Sequence, residues 1–560
     1  MHDLVIKQAT IYDGLGGLPY MADIAVADGK ITAIGTDLGL AVEMIDASGL
    51  ALMPGIIDSH THYDAQVTWD PLCDPSPALG VTTVVMGNCG FTIAPCKPAD
   101  REIMMRHLTR VEGMSIEALE EGIQWNFETF PEYLTALEER GVGPNVAVYI
   151  GHSALRTFVM GEDATNREAS DAEIAWMREL VAEAMKVGAV GFSSSTHEQH
   201  IGWGGVPMPS RVADDREFNA IADTIHDAGK GTMMVVKGSG TSIDWIEQLA
   251  ERSGRSVLVS AMRHHPAAPN KVFEDLGALR NARERGHRLY GQCSPMPMAM
   301  DFSLENPYPF EAYDCWKPAI QADGRGAYIA VLRDPEWRQS MKQDIEQNPG
   351  MRIFRGNWDT LTVAEAGTEA NRDLEDLSVG ELARKAGKHP FDYFVDLALS
   401  EDLKTTYATE FSNFDVPSVS RILRDPDNQI SLGDAGAHLS FLCEAGFGLH
   451  LLGHWVRDLA VLELPEAVRR LTGQQANLFG MRDRGTLAVG KAADLLLFDP
   501  SNVGIGPKVR LFDLPGGATR LRTDAKGVRG VWVNGKRMAD ESGPLVPEEM
   551  PGEVLRKFAA

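Results

Sequence analysis

Apolar positions recur at two different periods along this chain, and the change of period divides it into a middle and two ends. Near the N-terminus the runs Leu4-Val5-Ile6, Asp23-Ile24-Ala25-Val26 and Ile31-Thr32-Ala33-Ile34 read as short strands. Asp28-Gly29 between the last two is a hairpin signal, because a tight turn needs residues that tolerate positive φ. The C-terminal end repeats the pattern with residues 493–498 and 528–533, the latter followed by Asn534-Gly535. Neither end carries enough apolar residues for a core of its own. The two are therefore expected to pair into one small β-sandwich built from residues 1–54 and 481–560.

In the middle, residues 55–480, helical and strand periods alternate. Ser170 and Glu173 make a capping box, and Ile174, Met177, Leu180, Val181, Ala184 and Met185 follow at helical spacing until Gly188. The strand 189–192 comes next. The same unit recurs with Phe218, Ile221, Ala222 and Ile225 before the strand 232–236. It recurs again with Ile243, Ile246 and Leu249 before 256–260, and with Phe273, Leu276, Leu279 and Ala282 before a strand near Leu289. Repeated βα units imply a parallel sheet covered by helices. Further strands are expected at 52–57, 81–86, 146–150, 351–354 and 429–432, about eight or nine in all, which favours a closed (β/α)8, TIM-like barrel.

Composition narrows the function classes. The 560 residues carry 53 basic and 79 acidic side chains, a net charge of −26, which disfavours nucleic acid and anionic membranes as partners. No basic leader precedes an apolar run at the N-terminus, and no apolar stretch approaches about 18 residues, so neither a secretory signal nor a transmembrane helix is expected. Six cysteines without a CxxC pair do not make a disulfide framework, and a cytoplasmic protein is expected.

Candidate chemistry sits at strand exits, where barrels place their active sites. Pro54-Gly55-Ile56-Ile57-Asp58-Ser59-His60-Thr61-His62 ends in two imidazoles at strand spacing, so both can reach one ion. The second strand runs into Gly87-Asn88-Cys89-Gly90-Phe91, placing a thiol at its exit, and the last into Gly433-Asp434-Ala435-Gly436-Ala437-His438, placing a carboxylate there. His60, His62, Cys89 and Asp434 would meet at the barrel mouth as a four-donor set.

These elements, together with Gly151-His152-Ser153-Ala154-Leu155-Arg156, resemble the amidohydrolase superfamily and its N-acyl-D-amino-acid deacylase (D-aminoacylase) branch. The resemblance spans nearly the whole chain, and GNCGF with the HxH is its most specific part. It implies a zinc-dependent hydrolase, with Cys89 where most relatives use a modified lysine and Asp434 as the catalytic aspartate.

The chain also departs from the family pattern, which has a histidine at the ends of the fifth and sixth strands. Here the fifth strand ends in Lys237-Gly238, and the sixth reads Ala261 at the ligand position, with His264 and His265 later, as loop or pocket-lining residues or, if that strand carries a bulge, as replacement ligands. Those histidines mostly serve one of two metal positions, so a single Zn²⁺ is expected. Lys237 is read as a substrate-carboxylate contact or a local ion pair, with a carboxylated lysine as a further alternative. Arg263 falls where the family contacts the substrate carboxylate, and His438 is read as an outer-sphere or substrate contact. His152 and Arg156 are expected to pack near the site, and His197, Glu198 and His200 to be polar loop residues, with lining of the pocket as the alternative.

The expected activity is hydrolysis of an amide C–N bond in an N-acyl amino acid or similar acylated amine. Hydrolysis of a cyclic amide or lactone, or a non-catalytic binding protein on the same scaffold, are the alternatives. The expected partner is a small-molecule substrate, with no nucleic acid and no membrane. Apolar loop residues (Trp203, Met296, Met298, Met300, Tyr308, Phe310 and Trp316) point to a substrate pocket or to packing within their own loops, and leave a homo-oligomer open.

Overall fold

Both chain ends enter one sheet. A computed structural model describes residues 1–311, 313–347, 352–440 and 442–559. Strands His2–Ile11, Tyr20–Ala27, Lys30–Gly35, Ala41–Asp46 and Ala51–Pro54 join Leu495–Phe498, Val528–Val533, Lys536–Asp540 and Gly543–Pro544 in a nine-stranded sheet. The seam is Ala51–Pro54, parallel to His2–Ile11 on one side and antiparallel to Leu495–Phe498 on the other. Two hairpin turns have positive φ at both central residues, Asp28 (49°) with Gly29 (72°) and Asn534 (45°) with Gly535 (76°). That backbone matches the right-handed twist of the flanking strands. Ile6, Ile24, Leu495, Leu497 and Trp532 from the two ends share one buried cluster, which neither end could form alone.

The expected single strand over 52–57 is two strands. Ala51–Pro54 lies in the end sheet and Ile56–Asp58 opens the central one. Gly55 makes the passage. Its N–H donates to the Asp494 carbonyl (2.9 Å), and a Cβ there would sit 2.1 Å from Thr82 Oγ1, so only glycine fits.

The central sheet is parallel throughout. Its order is Ile56–Asp58, Val81–Met86, Asn145–Gly151, Gly191–Ser195, Thr232–Val236, Val257–Ser260, Leu289–Cys293, Asn428–Ile430. Beyond the first and last strands, His60–Thr61 pairs in parallel with Leu432–Ala435, through Ser59 N–H to Ser431 O (3.0 Å) and His62 N–H to Ala435 O (2.7 Å). Helices alternate with the strands as the periodicity predicts. Asp171–Val187 starts at the Ser170–Glu173 capping box, ends at Gly188 (φ 112°), and buries Ile174, Met177, Val181, Ala184 and Met185. Each large apolar side chain on that face contributes about 1.5–3 kcal/mol by leaving water. Among the described residues no helix is long and apolar enough to cross a membrane.

By its contacts the chain divides into two units. The first is Met1–Arg263, Val272–Met296 and Pro417–Ala560, and the second is His264–Lys271 and Pro297–Val416. The second has its own antiparallel sheet, Met298–Ser303, Thr406–Ser412 and Leu361–Glu365 in that order, and an aromatic core of Phe310, Tyr313, Trp316, Phe354, Phe394 and Tyr407. Phe310 and Trp316 therefore pack within their own unit, the second of the two readings given to them. The strand expected at 351–354 is not formed at 352–354, and Met351 lies outside the described residues.

Candidate metal centre

Four donor atoms converge where the first, second and last strands end. Cys89 Sγ lies 3.4 Å from His60 Nε2 and 3.7 Å from His62 Nε2. Asp434 Oδ1 lies 3.6 Å from His60 Nε2 and 3.3 Å from His62 Nε2. Zinc bonds of about 2.0–2.3 Å to N, O and S place the donors of a tetrahedron about 3.3–3.8 Å apart, so these contacts have the length of tetrahedron edges. Among the described residues, His60, His62 and Cys89 are the one group of three or more metal-ligating side chains whose donor atoms all lie within 4.8 Å of one another.

The other imidazole nitrogens are committed elsewhere, which decides which nitrogen faces the cluster. His60 Nδ1 donates to Gln292 Oε1 (2.8 Å), and Gln292 is oriented because its Nε2 donates to Ser59 Oγ (2.8 Å). Ser260 Oγ lies 3.4 Å from the same Nδ1. His62 Nδ1 faces Glu112 Oε1 at 3.4 Å. Such outer partners set tautomer and ring angle and raise ligand basicity.

Electrostatics favours a cation here. Burial pushes the Cys89 thiol up to about 12 and lowers His60 to about 4, so the imidazole is neutral, as a ligand must be. Burial would lower His62 as well, but the charges of Glu112 and Cys89 and the hydrogen bond to Asp434 raise it well above its ordinary value. Burial would raise Asp434, but the hydrogen bond and charge of His62 and the charges of His60 and His438 hold it well below the usual carboxylate range. Burial lifts Glu112 to about 7. Two acidic donors, Cys89 and Asp434, beside two imidazoles make a set whose chemistry fits zinc.

The turns that present these side chains are strained. Cys89 (φ 58°), Asp434 (φ 46°) and His438 (φ 53°) all occupy the left-handed region, which costs a non-glycine residue of order 1–3 kcal/mol. Hydrogen bonds hold the Cys89 turn in place: Asn88 Nδ2 donates to Val85 O (2.8 Å), and Gly90 N–H donates to Ser193 Oγ (3.1 Å). Asp58, two residues before the first histidine, accepts from His60 N–H and Gly433 N–H, both at 3.1 Å, and so ties the first strand exit to the last. A Cβ on Gly433 would fall 2.1 Å from Asp58 Oδ2.

The remaining candidates separate. His438 is buried beside the cluster, lowered by burial to about 4, and its N–H donates to the Glu112 carbonyl (2.5 Å). Arg263 is near enough for its charge to act on His60, His438 and Glu444. Lys237 Nζ pairs with Asp275 at 3.4 Å, the local ion pair among its expected readings. His152 joins a fully buried network, Nδ1 to Ser194 Oγ (2.8 Å) and Nε2 to Glu217 Oε1 (2.6 Å), with Arg156 on the other Glu217 oxygen. That is packing, as expected. The His200 ring stands 5.0 Å from Phe91, itself 6.5 Å from His62, which favours the pocket-lining reading of that residue. His264 and His265 belong to the second unit, where His264 N–H meets Asn413 Oδ1 at 3.5 Å.

Gln292, Glu112 and Glu444 escaped the sequence reading. Gln292 did leave a signal, a polar residue near the exit of the otherwise apolar seventh strand. Glu112 caps the helix Arg101–Val111, far from the HxH in sequence, and carried none. Glu444 is buried and raised by burial to about 8, in the segment after the last strand.

Comparison with known proteins gives the family. The model of the amidohydrolase family matches residues 43–539. D-aminoacylase of Alcaligenes xylosoxydans xylosoxydans is 30% identical over 568 residues, covering 100% of this chain and 98% of that protein. N-acyl-D-aspartate deacylase of the same organism is 29% identical over 560 residues, covering 99% and 95%. The crystal structure of N-acyl-D-glutamate deacylase from Bordetella bronchiseptica, complexed with zinc and a phosphonate mimic of the tetrahedral intermediate, matches with a TM-score of 0.67 at 24% identity, covering 99% of this chain and 100% of that one. The chain therefore belongs to the amidohydrolase family and resembles its N-acyl-D-amino-acid deacylases.

Proposed function

We propose that this hydrolase of non-peptide C–N bonds cleaves the amide of an N-acyl amino acid, using one divalent ion held by His60, His62, Cys89 and Asp434. The scaffold in this reading is a closed (β/α)8 barrel over residues 55–480, with a small β-sandwich from 1–54 and 481–560. The observation that carries the proposal is that His60 Nε2 and His62 Nε2 each lie 3.3–3.7 Å from Cys89 Sγ and from Asp434 Oδ1, each imidazole oriented from behind by Gln292 or Glu112. The likeness to deacylases supports the substrate class. The absence of histidines at the fifth and sixth strand ends supports one ion rather than two.

A divalent ion there supplies a Lewis acid for the amide carbonyl and a source of nucleophilic water at neutral pH. The chain's own groups do the rest. Asp434 takes the proton of the attacking water and returns it to the leaving amine. The hydrogen bond and charge of His62 keep Asp434 ionised at neutral pH, as an acceptor must be. His438, buried and neutral, is placed to donate to the oxyanion that develops on the former carbonyl. Arg263 offers a planar pair of donors to the substrate carboxylate.

Metal analysis of the purified protein, followed by a panel of N-acyl-D- and N-acyl-L-amino acids and cyclic amides with zinc added back, tests this. One equivalent of metal and hydrolysis of an N-acyl amino acid are expected. Two equivalents would overturn the single-ion assignment, and no metal would favour a binding protein on this scaffold.

A further inference from the structure

We propose that the face of the parallel sheet opposite the metal centre holds a second binding site, for a small multiply charged phosphate-bearing anion. A cavity of about 880 Å³ opens there, where Thr232–Val236, Val257–Ser260 and Leu289–Cys293 begin. Its charged lining is entirely basic: Arg255, Arg288, Arg469, Arg482, Arg484 and Lys491, with no carboxylate among the lining residues. In a chain with 79 acidic against 53 basic side chains, such a one-signed pocket is not what average composition provides.

Two of the six charges are already compensated by carboxylates. Arg484 pairs with Asp494 (2.8 Å), Asp483 (3.0 Å) and Glu553 (3.3 Å), and Arg469 with Glu466 (2.7 Å). Lys491 Nζ is capped by the Arg482 carbonyl. Arg255, Arg288 and Arg482 have no carboxylate partner among the described residues, and the Arg255 Nε is buried without an acceptor. Arginines nearby in the sequence are treated differently: Arg252 pairs with Asp223, Arg280 with Asp425, Arg283 with Asp427 and Arg285 with Glu247.

Arg255 and Arg288 precede two neighbouring strands of the sheet, Val257–Ser260 and Leu289–Cys293, and both line the cavity. An anion with several oxygens would supply the charge partner that Arg255, Arg288 and Arg482 lack among the described residues, and planar guanidinium forks suit phosphate oxygens. The cavity is large enough for a small organic phosphate. The site is independent of the amidohydrolase reading, since none of its residues touches the metal cluster's donors.

Isothermal titration of the full chain with inorganic pyrophosphate, at constant ionic strength, tests the proposal. Saturable binding with a Kd below about 1 mM is expected, weakened about tenfold or more in Arg255→Gln and in Arg288→Gln. Both positions are accessible enough for the variants to fold. Pyrophosphate also chelates metals, so the titration is repeated on His62→Ala, where binding should persist. No saturable binding, undiminished binding in the triple variant R255Q/R288Q/R482Q, or loss of binding in His62→Ala would each overturn the site. Equal affinity for sulfate or orthophosphate would overturn the preference for a multiply charged ligand.

Discussion

Replacing Gln292 by methionine keeps the side chain's length and removes the acceptor that holds His60. In the native arrangement Gln292 Oε1 takes the Nδ1 proton at 2.8 Å, which leaves the Nε2 lone pair facing Cys89 and Asp434. Without that acceptor, a buried N–H is left unsatisfied, at a cost of about 1–3 kcal/mol. Part of that cost is avoided if the proton moves to Nε2, but that blocks the ligand position. Either route lowers zinc affinity by about 10–100-fold, or about 1.4–2.7 kcal/mol. Competition against a chromogenic chelator measures the affinity directly. At saturating zinc, kcat/KM should return most of the way, because the substitution touches no reacting atom. Gln292→Glu keeps an acceptor at the same place, adds negative charge behind the imidazole, and should retain zinc. If Gln292→Met binds zinc like the native protein, or if the two variants behave alike, the tautomer argument is wrong.

Further expectations are open to measurement. Asp434→Asn, in preparations that retain metal, should lower kcat by about 10²–10⁴; full activity would exclude its acid–base role. Cys89→Ala should lose most bound metal at micromolar zinc, by elemental analysis, since it removes the thiolate that touches both imidazoles. His107 accepts the Trp203 N–H at 3.1 Å and is lowered by burial from 6.5 to about 4. The unfolded chain therefore binds more protons between those values, so stability from this group is full above pH 6.5 and is lost as pH falls towards 4. His107→Gln should flatten that part of the Tm-against-pH curve relative to the native protein. Gly55→Ala, whose new methyl would sit 2.1 Å from Thr82 Oγ1, should cost at least about 1–3 kcal/mol in urea unfolding; an unchanged midpoint would contradict the packing at that passage.

The parts of the fold legible in the sequence were those governed by local rules. The capping box at Ser170 and Glu173, the stop at Gly188, and the hairpins at Asp28-Gly29 and Asn534-Gly535 each depend on a few adjacent residues, and each formed where expected. The apolar run across 52–57 was misread because a passage between two sheets is invisible to hydrophobicity. Only the approach of Thr82 to Gly55 reveals it. Residues 297–416 gave no sign in the sequence that they form a unit of their own. Their aromatic residues form a core within the second unit, and an inserted unit interrupts the βα rhythm without any composition shift that announces it.

By itself, the sequence determined the parallel βα architecture, and it placed His60, His62, Cys89 and Asp434 at strand exits, because strand period and turn chemistry are written in neighbouring residues. Tertiary structure alone decided that Cys89 and Asp434 both stand within 3.3–3.7 Å of the two imidazole Nε2 atoms. It also decided that Gln292 and Glu112 stand behind the imidazoles and that Arg255 and Arg288 line one cavity. Gln292 is 232 residues from His60 along the chain, and only the order of the strands makes them neighbours. Distance in space between residues so far apart is set by the packing of the whole sheet, which no local pattern contains.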